Sequence, residues 1–186
     1  AEPTLKQNLD DVVSEGIQEL YARQRSDGGW GWCTRIESHP ITTAYGLIGL
    51  AEAKKQGYAV DDAVIKRAQE YLGFQMITPS LSIDRWRLNQ QAFLLYALAY
   101  SGAPDIARSV TLFDSRERMN LDALAYLSNT LHIINPNDRE RLDVPLVYDL
   151  LGRFLGDRQQ IDIDGGRELA DRAVIHEQRI EDHVDT

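Results

Sequence analysis

The chain has 186 residues, of which 43% are hydrophobic and 26% charged, and its formal net charge at pH 7 is -9. This composition is that of a globular domain with a hydrophobic core. An acidic chain without a cluster of Lys and Arg is not expected to bind nucleic acid or an anionic membrane surface.

The first predicted elements are two helices of different character. Segment 4–25 has one apolar face, and Thr4 and Gln7 fit a capping box at its start. Segment 26–40 is a glycine-rich loop that Pro40 ends. Segment 41–56 is a helix that is apolar around most of its circumference, which predicts burial on all sides, and Gly57 ends it.

The next pair repeats this alternation. Segment 61–77 is apolar on one face, and Asp61 or Asp62 is expected to cap it. Segment 86–101 is a second strongly apolar helix. Its apolar run is shorter than the roughly 20 residues that a membrane span needs, so we interpret it as a core helix. Gly102 ends it.

The sequence pattern that predicts helices becomes weaker towards the C-terminus. A short helix is predicted from Pro104, in its first turn, to about Phe113. Segment 119–134 is a third largely apolar helix, and 144–155 is a last helix with one apolar face. The polar segment 157–186 holds at most one short helix, at 169–175. We therefore predict a domain over 1–156 and a separate polar C-terminal segment.

An internal repeat supports stacked helical hairpins. Ala44-Tyr45, Leu47 and Leu50-Ala51 recur at an offset of 48 as Ala92-Phe93, Leu95 and Leu98-Ala99. Hairpins can stack in a line or close into a ring, and strongly apolar inner helices favour the ring because they are enclosed from every side. The predicted fold is all-α, an incomplete α/α toroid of antiparallel helical hairpins.

No single residue type points clearly to a catalytic, metal-binding or redox role. Cys33 is the one cysteine, which excludes an internal disulfide, and it is expected to be a buried or half-buried thiol without a reactive role. We expect solvated or locally hydrogen-bonded side chains for the four histidines, His39, His132, His176 and His183. Structural rather than catalytic roles are expected for the carboxylate groups Asp10-Asp11, Asp61-Asp62 and Asp162-Ile163-Asp164. Core positions are expected for five aromatic residues, Tyr45, Trp86, Tyr96, Tyr100 and Tyr126.

Two stretches resemble known families. The run from Tyr21 to Trp32, with its Gln and its Asp-Gly-Gly-aromatic turn, resembles the helix-to-loop junction of terpene cyclases, prenyltransferase β subunits and macroglobulin thioester domains. The run Thr43–Tyr58, with Val60-Asp61 and Tyr71-Leu72 after it, is similar to the thioester domain of bacterial α2-macroglobulins and, more distantly, of complement proteins. Further similarity to the bacterial branch lies at 112–118 and 121–127, so the resemblance covers about residues 10–156.

The resemblance implies that the chain is part of a protease-trapping inhibitor and that it has no enzymatic activity, no metal and no cofactor. The family's reactive Cys, with a Gln three residues later, would lie N-terminal to this chain. Cys33 is followed three residues on by Ile36, so it is not that Cys, and the family more often has an aromatic residue at this position. The start Ala1-Glu2-Pro3 has no initiator Met and no signal peptide, and the chain looks too short for a complete six-hairpin ring, so we expect a fragment.

The same resemblance implies partners and a location. Partners would be the other macroglobulin-type domains of the parent chain and a captured protease, in the periplasm or cell envelope, with self-association where the missing hairpins would pack. The alternatives are a terpene cyclase or prenyltransferase-like toroid enzyme, and a passive helical scaffold.

The candidate site is the glycine-rich loop, whose residues are Asp27, Gly28, Gly29, Trp30, Gly31 and Trp32. One interpretation is a rim that helps to shield a neighbouring thioester from water. The other is a structural turn whose glycines adopt positive φ while both tryptophans pack between helices.

Overall fold

The computed structural model of the chain describes residues 2–33, 37–77 and 83–137. Over these ranges the protein has six α-helices, a 3-10 helix at Arg116–Arg118 and no strand. The α-helices are α1 (Glu2–Arg23), α2 (Pro40–Lys55), α3 (Asp62–Phe74), α4 (Arg85–Tyr100), α5 (Ile106–Phe113) and α6 (Leu121–Ile134). The predicted all-α fold is confirmed for this part of the chain. None of the described helices is long and apolar enough to cross a membrane.

The helices form two layers. In the inner layer α4 packs against both α2 and α6. In the outer layer α3 contacts α2 and α4, α5 contacts α4 and α6, and α1 contacts α2. Equivalent positions of α2 and α4 meet near both ends of the helices, at Tyr45 with Phe93 and at Glu52 with Tyr100, so these two inner helices run in the same direction.

The inner helices share one pattern of buried positions. Each buries five residues at i, i+1, i+4, i+7 and i+8. On α2 these are Thr43, Ala44, Leu47, Leu50 and Ala51; on α4 they are Gln91, Ala92, Leu95, Leu98 and Ala99; on α6 they are Ala123, Leu124, Leu127, Thr130 and Leu131. The predicted repeat at an offset of 48 (91 − 43) therefore holds in three dimensions. A third copy begins 32 residues after the second (123 − 91), and it was not predicted.

Burial outside these shared positions differs between the inner helices. Phe93 and Ala97 on α4 are 6% and 0% exposed, whereas their equivalents on α2, Tyr45 and Gly49, are exposed, Tyr45 by 59%. The middle helix has an inner helix on each side, whereas α2 has one on a single side. The prediction that segment 41–56 is buried on all sides is therefore wrong for α2.

The predicted glycine stops are confirmed. Gly57 and Gly102 both have a φ of 92°, a conformation that glycine adopts without a Cβ penalty. After each glycine the next amide bonds back into the helix, from Tyr58 N to Ala53 O and from Ala103 N to Leu98 O. These are Schellman motifs, which satisfy the last carbonyl groups of α2 and α4.

Two predicted helix starts need correction, and one is confirmed. The first helix already includes Glu2, so Thr4 lies inside the helix rather than at its start. Pro104 precedes the cap of α5 rather than lying in its first turn, because the Asp105 side chain accepts a hydrogen bond from the Arg108 amide. Asp61 caps α3 as predicted, through Ala63 N.

Several predictions concern residues outside the described ranges. These are the helix at 144–155, the domain boundary at 156, the polar segment 157–186 and the short helix at 169–175.

Candidate functional site

The glycine-rich loop connects α1 to α2 as a closed turn. Gly28 N donates to Arg25 O at 3.0 Å, and Arg25 N donates to Gly29 O at 3.0 Å. The Asp27 carboxylate accepts hydrogen bonds from Gly29 N at 3.0 Å and from Ser38 Oγ at 2.8 Å. The backbone of the loop is thus fixed from inside the turn and from the residues that lead into α2.

Gln24 joins this turn to the outer helix α3. Its Nε2 donates to Gly28 O at 3.0 Å and to Val64 O at 2.9 Å, and its Oε1 accepts from Arg67 Nε at 3.0 Å. Gly28 has a φ of 87°, as predicted, whereas Gly29 has no positive φ, so the predicted conformation holds for Gly28 and not for Gly29. A Cβ on Gly28 would lie 2.3 Å from Arg67 O. The turn therefore needs glycine for its backbone conformation and for its close approach to α3.

Trp30 anchors the loop to the inner layer. Its side chain is 3% exposed and its Nε1 donates to Leu20 O at 2.8 Å. Its backbone N donates to Thr43 Oγ1 at 2.9 Å. A Cβ on Gly46 would lie 3.1 Å from the indole ring, so this glycine on α2 makes room for the ring.

The anchoring position recurs in the second hairpin. Gln91 on α4 is the register equivalent of Thr43 on α2, and both are buried polar residues. Gln91 Oε1 accepts from Ile77 N at 3.0 Å, and its Nε2 donates to Gln75 O at 3.3 Å. In both hairpins a polar side chain of the inner helix therefore holds the backbone of the incoming loop.

The far end of the loop faces outward. Trp32 is 70% exposed and Cys33 is exposed, so the predictions that both tryptophans pack between helices and that Cys33 is buried or half-buried are wrong. The Trp32 ring lies 6.1 Å from the His39 ring, centroid to centroid. His39 is half-buried at the start of α2, and its buried Nδ1 has no hydrogen-bond partner among the described residues.

Tyr71 joins α3 to the segment before α2 and lies near two carboxylates. Tyr71 on α3 donates its hydroxyl hydrogen to Ser38 O at 2.9 Å. Burial raises the pKa of Tyr71, and the nearby negative charges of Asp27 and Glu37 raise it further. The tyrosine is thus held in its neutral, hydrogen-donating form and ties α3 to the segment that precedes α2.

A row of aromatic rings crosses the inner layer away from this loop. The ring centroids are 4.8 Å apart for Tyr45 and Phe93, 4.8 Å for Phe93 and Tyr126, 5.4 Å for Tyr126 and Tyr96, and 5.6 Å for Tyr96 and Tyr100. Lys55 Nζ lies 3.2 Å from the centroid of Tyr100.

The five aromatic residues with predicted core positions are not all buried. Tyr45 and Trp86 are 59% and 57% exposed, so the expectation of core positions is wrong for both. Tyr96, Tyr100 and Tyr126 are half-buried.

The other predicted candidates do not gather at one place. Asp61 caps α3, and Asp10 accepts a hydrogen bond from the Tyr58 hydroxyl at 2.7 Å. His132 is exposed near the end of α6. Within residues 2–33, 37–77 and 83–137 no group of three or more His, Cys, Asp or Glu could hold a metal ion. His176, His183 and the group at 162–164 lie outside the described residues.

Comparison with known proteins finds relatives for part of the chain. No family model matches the sequence. A segment of 66 residues, 36% of the chain, is 41% identical to the α2-macroglobulin of Thermotoga maritima. The chain is related to the bacterial α2-macroglobulins. It spans only 4% of the length of that relative.

Solved α2-macroglobulins share the fold. Trypsin-activated α2-macroglobulin from Escherichia coli matches 72% of the chain with a TM-score of 0.58 and 22% identity. The Salmonella α2-macroglobulin reacted with methylamine matches 77% with a TM-score of 0.57 and 22% identity. The chain covers 10% of each of these two proteins. At this identity the likeness concerns the fold alone, and it confirms the predicted α/α-toroid architecture.

Proposed function

We propose that the chain is part of an α2-macroglobulin-like protease-trapping protein, in which it forms the toroid wall beside the thioester. The 41% identity over 66 residues to the α2-macroglobulin of Thermotoga maritima carries this proposal. The chain covers a small share of its relatives, so the activity belongs to a longer parent protein.

The proposed mechanism is that of the resembled family. A protease cleaves an exposed segment of the parent, the parent changes conformation, and the thioester becomes accessible. A nucleophile on the protease then attacks the thioester carbonyl, forms an amide or ester with the Gln-derived acyl group, and releases the Cys thiol. The chain itself supplies no acyl group, because Ile36 stands where the motif needs Gln.

The role of this segment would be to keep the thioester dry until activation. Trp30 anchors the loop Asp27–Trp32 to the inner layer, and the Gln24 contacts fix the start of the loop to α3. Trp32 projects from this fixed loop with 70% of its surface exposed. An indole ring on a rigid loop is suited to cover a reactive group on a neighbouring element, because the ring loses little conformational entropy when it packs there.

The proposed partners follow from the same family. They are the other macroglobulin-type domains of the parent and a captured protease, and the proposed location is the periplasm or cell envelope. The segment has no catalytic role in this proposal.

The test uses the parent protein. We expect incubation with an active protease to give adducts that survive denaturation, and pretreatment with methylamine to prevent them. Trp32→Ala is expected to speed the reaction of the resting protein with methylamine, because the shield is smaller. Trp86→Ala, which removes an exposed indole from the start of α4, is the matched control and should leave the rate unchanged. A parent that neither forms adducts nor restrains the protease would refute the trapping function, and equal rates for both variants would refute the shield.

A further inference from the structure

Three tyrosines of the aromatic row carry hydroxyl groups that make no hydrogen bond within the described part of the chain. They are Tyr45 on α2, Tyr96 on α4 and Tyr126 on α6, and their hydroxyl oxygens are not fully buried. The other described tyrosines each use the hydroxyl group in a hydrogen bond, and they are Tyr21, Tyr58, Tyr71 and Tyr100. The three tyrosines of the row are thus held by ring packing, with hydroxyl groups that water can reach.

Tyr96 and Tyr126 bring two phenol rings together across neighbouring inner helices. Their centroids are 5.4 Å apart and their planes are inclined by 35°. At this separation two aromatic rings are in van der Waals contact. Burial raises the pKa of the Tyr126 hydroxyl, and the groups around it, Tyr45, Asp122 and Tyr96, raise it further. Tyr126 is therefore a neutral phenol at neutral pH, and a proton must leave it when an electron is removed.

Tyr100 also lies beside Tyr96 but is a poorer partner for a reaction between rings. The two centroids are 5.6 Å apart on the same helix. The Tyr100 hydroxyl is bonded to Glu52, which holds the ring in place, and Lys55 Nζ lies 3.2 Å from the ring centroid. A positive charge over an aromatic face attracts the ring electrons, so it opposes removal of an electron from Tyr100. Neither constraint acts on Tyr126.

We propose that Tyr96 and Tyr126 form a site of oxidative modification, at which a haem peroxidase with hydrogen peroxide joins the two rings as dityrosine. Each phenol gives one electron to the peroxidase and one proton to water. The two phenoxyl radicals form a carbon–carbon bond between positions next to their oxygens, and the displaced ring hydrogens move to the oxygens as protons, which restores both phenols. The pair loses two hydrogen atoms, and one molecule of hydrogen peroxide is reduced to two molecules of water.

The cross-link would tie α4 covalently to α6. The chain between the two rings holds the end of α4, the whole of α5 and the start of α6. Closing this loop lowers the conformational entropy of the unfolded chain, as a disulfide does, so the oxidised protein should be more stable than the reduced one. This inference does not depend on the proposed function, because it requires only the ring contact between two inner helices.

The first test is oxidation of the chain at low protein concentration, in a Cys33→Ser background because that exposed thiol would consume peroxide. Monomer isolated under denaturing conditions should show dityrosine fluorescence, a mass lower by two hydrogen atoms and a joined peptide pair containing Tyr96 and Tyr126. Tyr96→Phe and Tyr126→Phe should each remove this product. Tyr58→Phe removes a phenol that is bonded to Asp10 instead, so it is the matched control and should leave the yield unchanged.

The second test separates the effect of the fold from that of closeness along the chain. In urea the ring contact is lost, so the yield of the intramolecular product should fall sharply. The cross-linked monomer should also unfold at a higher temperature than the Tyr126→Phe protein treated in the same way. An absent product, a cross-link that maps to Tyr96 and Tyr100, or an equal yield in urea would overturn the site. A midpoint that does not rise would overturn the stabilising effect.

Discussion

Tyr100 on α4 donates its hydroxyl hydrogen to the carboxylate of Glu52 on α2, and the two residues stand 48 positions apart, at the offset of the internal repeat. The bond therefore joins the same register position of two inner helices. It raises the pKa of Tyr100 to about 12 and lowers the pKa of Glu52. Both shifts favour the neutral phenol beside the charged carboxylate.

The pH dependence of this bond gives the first prediction. The pKa of Glu52 is lowered by folding, so its contribution to stability is present above its ordinary pKa of 4.5 and is lost as the pH falls through the lowered value. The pKa of Tyr100 is raised by folding, so its contribution is complete below pH 10.0 and is lost as the pH rises through about 12. Tyrosinate absorbance should show a component titrating near pH 12 that Tyr100→Phe removes. Glu52→Gln should return that titration towards pH 10.0, and an unchanged profile would contradict the assigned cause.

The two tryptophans of the loop are expected to differ in their effect on stability. Trp30→Ala removes a buried ring and should lower the free energy of unfolding by about 3–5 kcal/mol. Trp30→Phe keeps the ring contact and loses the bond to Leu20 O, which should cost about 1 kcal/mol. Trp32→Ala should change stability by less than about 0.5 kcal/mol, since its side chain is exposed. Urea denaturation followed by circular dichroism measures all three, and equal losses for Trp30→Ala and Trp32→Ala would contradict the opposite orientation of the rings.

Glycines in the turn and in the first helix should respond oppositely to alanine. Gly28→Ala places a Cβ 2.3 Å from Arg67 O at a φ of 87°, so it should destabilise the protein by more than about 1 kcal/mol. Gly16→Ala in the middle of α1 meets no atom within 4 Å and should stabilise the helix by about 0.5–1 kcal/mol. Thermal unfolding should give a lower midpoint for the first variant and a higher one for the second. A stable Gly28→Ala protein would show that the turn can rearrange away from α3.

The repeat explains why much of the fold was predictable from sequence. Leu47 and Leu95 lie at the same register position and are buried by the same layer, so the period of apolar residues on α2 and α4 reflects one packing arrangement. The third copy was missed because Leu124 replaces a small residue and Thr130 replaces a leucine, which hides the pattern without changing which positions are buried. Glycine stops were predictable because the positive φ is a local requirement.

The exposure of particular aromatic residues was not predictable in the same way. Trp30 and Trp32 are two positions apart in one motif, yet only Trp30 meets the gap that Gly46 leaves on α2. Tyr45 and Phe93 hold the same position of the repeat, but the burial of each ring depends on how many inner helices flank it. Such differences are set by tertiary neighbours, which a local pattern does not contain. The Gln24 contacts with Val64 and Arg67, 40 and 43 residues away, were missed for the same reason.

The last prediction is that the chain alone neither captures a protease covalently nor reacts with methylamine. Covalent capture requires an acyl group activated as a thioester, and Ile36 follows Cys33 at the position where the resembled motif has Gln. The exposed thiol of Cys33 should still react with a thiol reagent under native conditions, so that one modified residue per chain confirms accessible, unacylated sulfur. Labelled methylamine should leave no label on the chain, and active protease incubated with it should keep its activity. Cys33→Ser is the control that tests whether any label depends on a thioester of Cys33, because methylamine would label the acyl group and release the Cys33 thiol. Label that persists in this variant would reveal an acyl site elsewhere, and label that disappears with it would show that Cys33 had been acylated.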